Sequence, residues 1–494
     1  MTRSARDAER SAASRRVRVW VMGAVVVLGG VCGLSLAPQA QAAPPATSAA
    51  SATALARGVT GTSTPNPAIH GPYGVTTDAC ASCHRAHSGS GASMITYPSQ
   101  SQLCLSCHDG TGATTNVASE YDYLVGLSRS NDPSTRSYYS HDPATSTGHT
   151  LAIDDEFTGV ENRHSECTDC HNPHSARTSP AASQASPGTP WAASGILYGS
   201  SAVSVANGQA GQPADGYTFI NGVTQSMTAE YQLCFKCHSG NTVLLRNAGW
   251  KPSQYELDKG VEFNPANPST HPVEGAGSNQ TLAMQKSLTD VFGSYRTLVF
   301  PTQAASGVLP TQRTIRCTNC HTVGPGAQVS STGDGTSPVH VSANRGILVA
   351  PYLDRSLEPF GKNYTASDFA LCFTCHSERP FSTNTSAGTT NFTLHRFHVA
   401  GIGTLIPKPT GGTDIDTPGD GQGNATCSEC HFRLHSTIYA VGTTPYKRLV
   451  NFAPDVLAYN GVLQFSMLPL DSNGVSHGSC TLVCHGVVHD KKEY

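Results

Sequence analysis

The chain is short of what a large domain is usually built from. Past residue 37 it has no apolar run long enough to span a bilayer, and only 38% of its residues are hydrophobic. Charged residues make up 13% and aromatics 7%, while 48 Gly and 31 Pro break the chain into turns. That composition cannot supply one continuous side-chain core for 494 residues, so other apolar material must fill the interior. Methionine is scarce as well: beyond the N-terminal segment only Met94, Met227, Met284 and Met467 remain. The net charge is −3, and removal of residues 1–42 takes six Arg, Asp7 and Glu9 with it to leave −7. A chain of that sign has no electrostatic footprint for nucleic acid, which excludes it as an expected partner.

Cysteine is plentiful, and its arrangement is fixed. Of seventeen, Cys32 lies in the N-terminal apolar segment and the other sixteen form eight pairs, leaving none for a disulfide in the mature chain. The pairs are Cys80/Cys83, Cys104/Cys107, Cys167/Cys170, Cys234/Cys237, Cys317/Cys320, Cys372/Cys375, Cys427/Cys430 and Cys480/Cys484. Each is followed at once by histidine: His84, His108, His171, His238, His321, His376, His431 and His485. Cys-x-x-Cys-His is the attachment sequence for c-type haem. On a short helix, positions i, i+3 and i+4 share one face, so two thiols can bond the porphyrin vinyl groups while the imidazole reaches the iron. Structural zinc is the rival for paired Cys-x-x-Cys motifs, but zinc is indifferent to the residue after the second cysteine. Here that residue is His eight times, and eight covalent haems are expected. The last site departs by one residue, with three between Cys480 and Cys484.

Thirteen histidines lie outside the motifs, enough to give every iron a second imidazole where four methionines could not. The sites repeat in pairs, and the spare histidines repeat with them. After the first site of each pair come His87, His174, His340 or His435; around the second come His141, His271 and His398, with His70 or His489 for the remaining place. Bis-histidine iron lacks the thioether that raises the potential in His/Met cytochromes, so low potentials are expected.

These residues resemble the multihaem c-type cytochromes of the doubled-CxxCH class, in which Cys-x-x-Cys-His-x-Pro-His is followed by Leu-Cys-x-x-Cys-His. Cys167–His174 with Leu233–His238 fits closely. Ala86 stands where Pro is usual, the third pair lacks the immediate His, and Leu434 occupies the usual ligand position with His435 one residue later. On a helix that extra step turns a side chain by about 100°. The resemblance implies covalent haems close enough for electron hopping, usually bis-histidine, and some relatives of similar composition polymerise into extracellular conductive filaments.

The organisation follows. Arg15, Arg16 and Arg18 before the apolar run Val19–Ala37, with Ala40-Gln-Ala42 after it, read as an export signal over 1–42. Residues 43–68 read as a flexible linker. Four dihaem units are expected at 69–150, 151–275, 276–400 and 401–494. The fold expected is mostly irregular and haem-cored, with short helices at the haem sites and a few small strands such as Thr297–Pro301; Thr365 and Asp368 read as a capping box. Asp414–Gly421 reads as an acidic turn. The expected function is electron transfer by an exported octahaem protein, extracellular, on the cell surface or periplasmic. Redox proteins or extracellular acceptors, and further copies of itself, are its expected partners, with no small-molecule substrate. The alternative is an octahaem reductase or oxidase of small nitrogen or sulfur compounds; a third class is a surface protein whose haems staple a core-poor chain.

Overall fold

A computed structural model describes residues 69–70, 77–122, 139–141, 143, 165–178, 183–241, 258–278, 282–290, 313–322, 338–352, 366–382, 390, 392, 394–400, 425–438, 447–469, 472, 477–484 and 487–494. The export signal, linker, Thr297–Pro301 run, Asp414–Gly421 turn, Thr365 and His485 lie outside them.

Most of the described chain is turn and irregular backbone, as the Gly and Pro content dictates. Helices are short: Gln100–Leu105, Tyr231–His238 and Leu282–Thr289 are among the longest, and many are single turns such as Cys167–Cys170 and Cys427–Cys430. Among the described residues no helix is long and apolar enough to cross a membrane. Ser99 starts the first of these, its hydroxyl accepting from the Gln102 N–H.

Seven strands are described: β1 (Tyr139–Ser140), β2 (Ala202–Ala206), β3 (Gly216–Ile220), β4 (Val341–Ser342), β5 (Gln464–Met467), β6 (Gly478–Cys484) and β7 (Val487–Glu493). They form three small antiparallel sheets, β1–β4, β2–β3 and β5–β6–β7. β2 and β3 pair in full register, Ala202 opposite Ile220 through Ala206 opposite Gly216, and bury Ala202, Val203 and Ile220.

No single core runs through the described residues. Apolar side chains gather in separate knots: Phe432, Phe452, Ala453, Val456, Phe465 and Leu482; Phe369, Phe373 and Val399; Ala202, Ile220 and Met227; Phe235, Phe263 and Val273. Motif cysteines pack on three of them: Cys430, Cys480 and Cys484 on the first, Cys372 and Cys427 on the second, and Cys317 on the last. The side-chain core therefore ends where the attachment sites begin. Between the knots, buried Asn, Ser and Thr hold loop backbone. Asn267, fully buried, donates to the carbonyls of Val261 and Glu262, and Thr270 also donates to Glu262.

Candidate functional site

Seven of the cysteine–histidine motifs form a helical turn. The histidine N–H donates to the carbonyl of the first cysteine in Cys80–His84 (2.8 Å), Cys104–His108 (3.0 Å), Cys167–His171 (2.9 Å), Cys317–His321 (2.9 Å), Cys372–His376 (3.0 Å) and Cys427–His431 (2.9 Å). Cys234–His238 lies within the helix Tyr231–His238. This i to i+4 closure puts both thiols and the imidazole on one face. The eighth motif does not follow. Cys480 and Cys484 lie in β6, which corrects the expectation of a helix at every site.

The later cysteine of the second motif sits differently in the first three units. Cys237 stays inside the helix Tyr231–His238 and is partly buried. Cys107 and Cys375 instead lie beyond the ends of Gln100–Leu105 and Ala370–Phe373, and Cys107 is exposed. The reason is local. The Ser106 hydroxyl donates to Leu103 O (2.7 Å) and the Thr374 hydroxyl to Ala370 O (2.9 Å), capturing carbonyls at the close of each helix. The following N–H then makes a tighter i to i+3 bond, Cys107 to Cys104 O (3.3 Å) and Cys375 to Cys372 O (3.2 Å). At all three places the sulfur pair still lies within one turn.

The spare histidines face the motif histidines. Ring centroids are 6.0 Å apart for His70–His108, 6.1 Å for His84–His174, 6.2 Å for His141–His238, 6.4 Å for His171–His340 and 6.1 Å for His321–His435. A sixth pair, His398–His489, stands at 6.3 Å. One iron between two imidazoles needs about 2.0 Å per metal–nitrogen bond and about 1.1 Å from nitrogen to ring centre, so about 6.2 Å overall. The interplanar angles range from 24° to 87°, as they can for rings turned about a shared ligand axis but not for one preferred stacking geometry.

The other ring nitrogen agrees. An imidazole that binds metal through Nε2 commonly donates its Nδ1–H to a carbonyl or carboxylate. Nδ1–H donates to Ser93 O from His84 (3.0 Å), Gly346 O from His321 (2.6 Å), Leu449 O from His431 (2.9 Å), Pro173 O from His70 (3.2 Å), Val339 O from His141 (2.8 Å) and Leu434 O from His271 (2.5 Å). His340 and His435 donate instead to carboxylates, Glu120 at 2.6 Å and the buried Glu262 at 3.3 Å. Burial pushes His171, His271 and His321 down to about 4, which keeps them neutral with a lone pair to donate. None of the sixteen motif cysteines is in a disulfide, and no three Cys, His, Asp or Glu among the described residues converge as zinc ligands would. The donor set fits a haem at each of the five pairs that include a motif histidine; His398 and His489 are both spare histidines.

The pairing crosses the expected unit boundaries. Sequence order left open which histidine belongs with which motif; in the structure His174 faces His84, His340 faces His171, and His435 faces His321, each one unit back. The extra residue before His435 does not turn it away from His321. His87 is exposed and faces no imidazole among the described residues. His376 meets the Ser287 hydroxyl at 3.2 Å.

Consecutive units are latched as well. The Cys104 and Cys167 side chains lie close together, as do Cys234 with Cys317 and Cys372 with Cys427. Four residues before Cys104, Gln100 donates to Glu166 (2.9 Å) and accepts from the Thr168 N–H (3.0 Å). Four residues before Cys234, Glu230 accepts from Thr318 (2.7 Å) and pairs with the buried Arg316 at 3.4 Å. Sites two and three, and four and five, are thereby held side by side. Lys236, buried inside the fourth motif, donates to Asp169 O (2.7 Å) inside the third. Sequence reasoning missed these latches. Their signal was a polar residue four places before the second motif's cysteine in three units: Gln100, Glu230 and Asp368.

Comparisons with curated proteins and with solved structures return no match. A family model described as the doubled CXXCH motif matches residues 70–113, which hold His70 and the first two attachment sites. That segment is a doubled CXXCH module carrying covalently bound haem c, the motif of the multihaem c-type cytochromes that transfer electrons.

Proposed function

We propose that this is an exported octahaem c-type cytochrome, built of four dihaem units, that conducts electrons along a row of low-potential bis-histidine haems and assembles into an extracellular filament. The observation that carries this reading is the set of six imidazole pairs at 6.0–6.4 Å, five of which join a motif histidine to a spare one. Each bound haem supplies a one-electron couple. The residues do the rest. At each of the five pairs that include a motif histidine, a bound haem would have its iron held by two imidazoles with no vacancy for a substrate, which argues against a reductase or oxidase. The latches Gln100–Glu166 and Glu230–Thr318 keep successive sites adjacent, so that an electron moves between neighbours without a docking step. Carbonyls and carboxylates on Nδ1 fix the rings and raise their basicity, which favours ferric iron and lowers the potential. Redox proteins or extracellular acceptors take the electrons.

A pyridine haemochrome assay combined with intact mass on the secreted protein tests the count. Eight haems per chain, all low-spin by ferric EPR and reducible only by a low-potential donor, are expected. A high-spin signal that changes with nitrite or hydroxylamine would overturn the transfer reading in favour of the enzyme.

A further inference from the structure

One buried charge crosses between two attachment sites, and the repeat supplies its comparison. The residue before the last cysteine of the second motif is Ser106 in the first unit, Lys236 in the second and Thr374 in the third. The two hydroxyls bond to carbonyls of their own helices, Leu103 O and Ala370 O. Lys236 does something else. A lysine ordinarily keeps its ammonium in water, yet this residue is only 3% exposed. Its Nζ reaches into the third site, donating to Asp169 O (2.7 Å) and to the Ser201 hydroxyl (3.1 Å). A carbonyl and a hydroxyl satisfy its hydrogens without cancelling its charge.

The third site is where acids gather. Glu166 and Asp169 are both buried, one just before Cys167 and one between the two cysteines of the motif. The Asp169 carboxylate accepts from the Glu166 N–H at 2.7 Å, and Glu120 meets Nδ1 of His340, the imidazole that faces His171. The fifth site keeps the same frame with other residues. Arg316 and Asn319 stand in the places of Glu166 and Asp169, and the Asn319 amide oxygen accepts from the Arg316 N–H at 2.8 Å. In the second unit, then, a first motif with two buried acids has a lysine in its companion motif. In the third unit a first motif with Arg and Asn has a threonine there.

A carboxylate near a haem favours ferric iron, because oxidation adds a positive charge. Three of them around one site would drop its potential below that of its neighbours. Such a step slows an electron passing along the row in either direction. A buried cation acts the other way, and strongly, because little water screens it. The field at the motif's own sulfur has that sense. Burial pushes the Cys170 thiol up to about 11, while the Lys236 charge pulls it down and outweighs the upward push from Asp169.

We infer that Lys236, carried by the fourth attachment motif, sets the potential of the haem on the third, offsetting Glu120, Glu166 and Asp169 so that this site stays level with its neighbours. The inference rests on the haem reading above, and it gives a role to a residue that neither bonds a haem nor ligates iron.

The test uses the full secreted cytochrome, loaded with haem, as wild type, Lys236→Gln, Lys236→Met, Lys236→Arg and the double variant Lys236→Gln/Asp169→Asn. Gln keeps a donor for Asp169 O without the charge. Asn at position 169 copies the fifth site and keeps the acceptor for the Glu166 N–H. Spectroelectrochemical titration reads the potentials, while pyridine haemochrome and ferric EPR check haem count and spin state. In Lys236→Gln and Lys236→Met one component should fall by about tenfold in its reduction equilibrium, which is about 59 mV for one electron. Lys236→Arg should hold the wild-type position, and the double variant should recover most of the fall, as charge compensation requires and a packing role does not. Potentials unmoved in both neutral variants, an equal fall in Lys236→Arg, or a double variant no higher than Lys236→Gln would each overturn the inference. Loss of a haem from both neutral variants would make the lysine structural and overturn it too. A wild type without haem, or with several high-spin irons, would instead refute the reading beneath, so the two failures are distinguishable.

Discussion

The first seven attachment sites and the eighth solve the same problem with different backbone. In the seven, cysteines three residues apart sit on a helical turn, where i and i+3 share a face. In the eighth, Cys480 and Cys484 lie on β6, where side chains alternate and only even separations share a face. The extra residue between them is what makes the strand usable. A separation of three would put the two sulfurs on opposite sides of the sheet. A separation of four keeps them together, with Leu482 between. β7 pairs His489 directly opposite Leu482, on that same face, and His489 is the histidine that faces His398. The lesson is that Cys-x-x-Cys requires a helical turn, whereas Cys-x-x-x-Cys is compatible with either element, and the surroundings choose. Here β5 and β7 flank the strand, and the Phe432–Leu482 knot lies beneath it.

The two kinds of site also differ in what depends on them. A helical site is a joint between units: Cys167–Cys170 touches Cys104, receives the Gln100 latch and carries a ring that meets His340 from the third unit. The hairpin draws its strand ladder and apolar knot from its own unit, although its His489 meets His398 of the third unit. Replacing Cys167 and Cys170 by Ser should therefore remove one haem and cost roughly 4 kcal/mol or more, since neighbouring units lose their shared contact. Replacing Cys480 and Cys484 should also remove one haem but cost under about 2 kcal/mol, because the strand ladder and apolar knot remain. Haem content and thermal unfolding measured together decide this. Equal losses at both sites would erase the distinction between joint and hairpin.

How much of this was legible beforehand depends on range. The helical turns were legible because the reason for them is local: sulfur, sulfur and imidazole must share a face within five residues. The mostly irregular fold was legible from the Gly and Pro content and the missing apolar runs. Partner assignment was not. His174 and His84 are 90 positions apart, and nothing near either shows that they meet. The stretches before Cys234 and Cys372 do carry Glu230 and Asp368 at matching places, but an acid there reads equally well as the start of a helix until Arg316 and Thr318 are seen opposite Glu230. The strand at Cys480 was missed because one element was assumed for all eight sites, although the spacing itself had changed.

The joint region should also respond to pH through Glu274, next to Val273, which packs with Ile315 and Cys317 of the third unit; its Oε2 accepts from Asn207 at 2.7 Å. Burial pushes its carboxyl up to about 7, against the Asn207 hydrogen bond and with help from Asp258. A carboxyl raised in the folded state stays protonated while the unfolded chain has already ionised. Stability from this group is thus full below the unfolded value of about 4.5, falls as pH rises, and is lost above about 7, a change of about 3 kcal/mol. Glu274→Gln keeps the acceptor, abolishes the slope and should be the more stable protein at pH 8. Hydrogen exchange near Val273 should report the slope locally, while amides of β6 should not. A wild-type curve flat between pH 4.5 and 7 would remove Glu274 as its cause.

The smallest effect tests whether the joints also tune chemistry. His340 and His435 are spare histidines whose Nδ1–H meets a carboxylate, and both face first-motif histidines, His171 and His321. A carboxylate acceptor gives the ring partial imidazolate character and stabilises ferric iron. Changing Glu120 to Gln replaces a charged acceptor by a neutral one. If that is worth about 1.4 kcal/mol, the potential of that site rises by about 60 mV for one electron. Glu262 lies farther from its histidine, 3.3 against 2.6 Å, and shares its charge with Lys259, so Glu262→Gln should shift its site by about half as much. His398 donates to the carbonyl of Leu394, and the hairpin site should not move in either variant. Spectroelectrochemical titration resolves the outcome: one component displaced upward in each variant, larger for Glu120, supports carboxylate control at the joints. A shift spread evenly over all components would mean that Glu120 and Glu262 act only through net charge, and that joints and hairpin differ in architecture but not in potential.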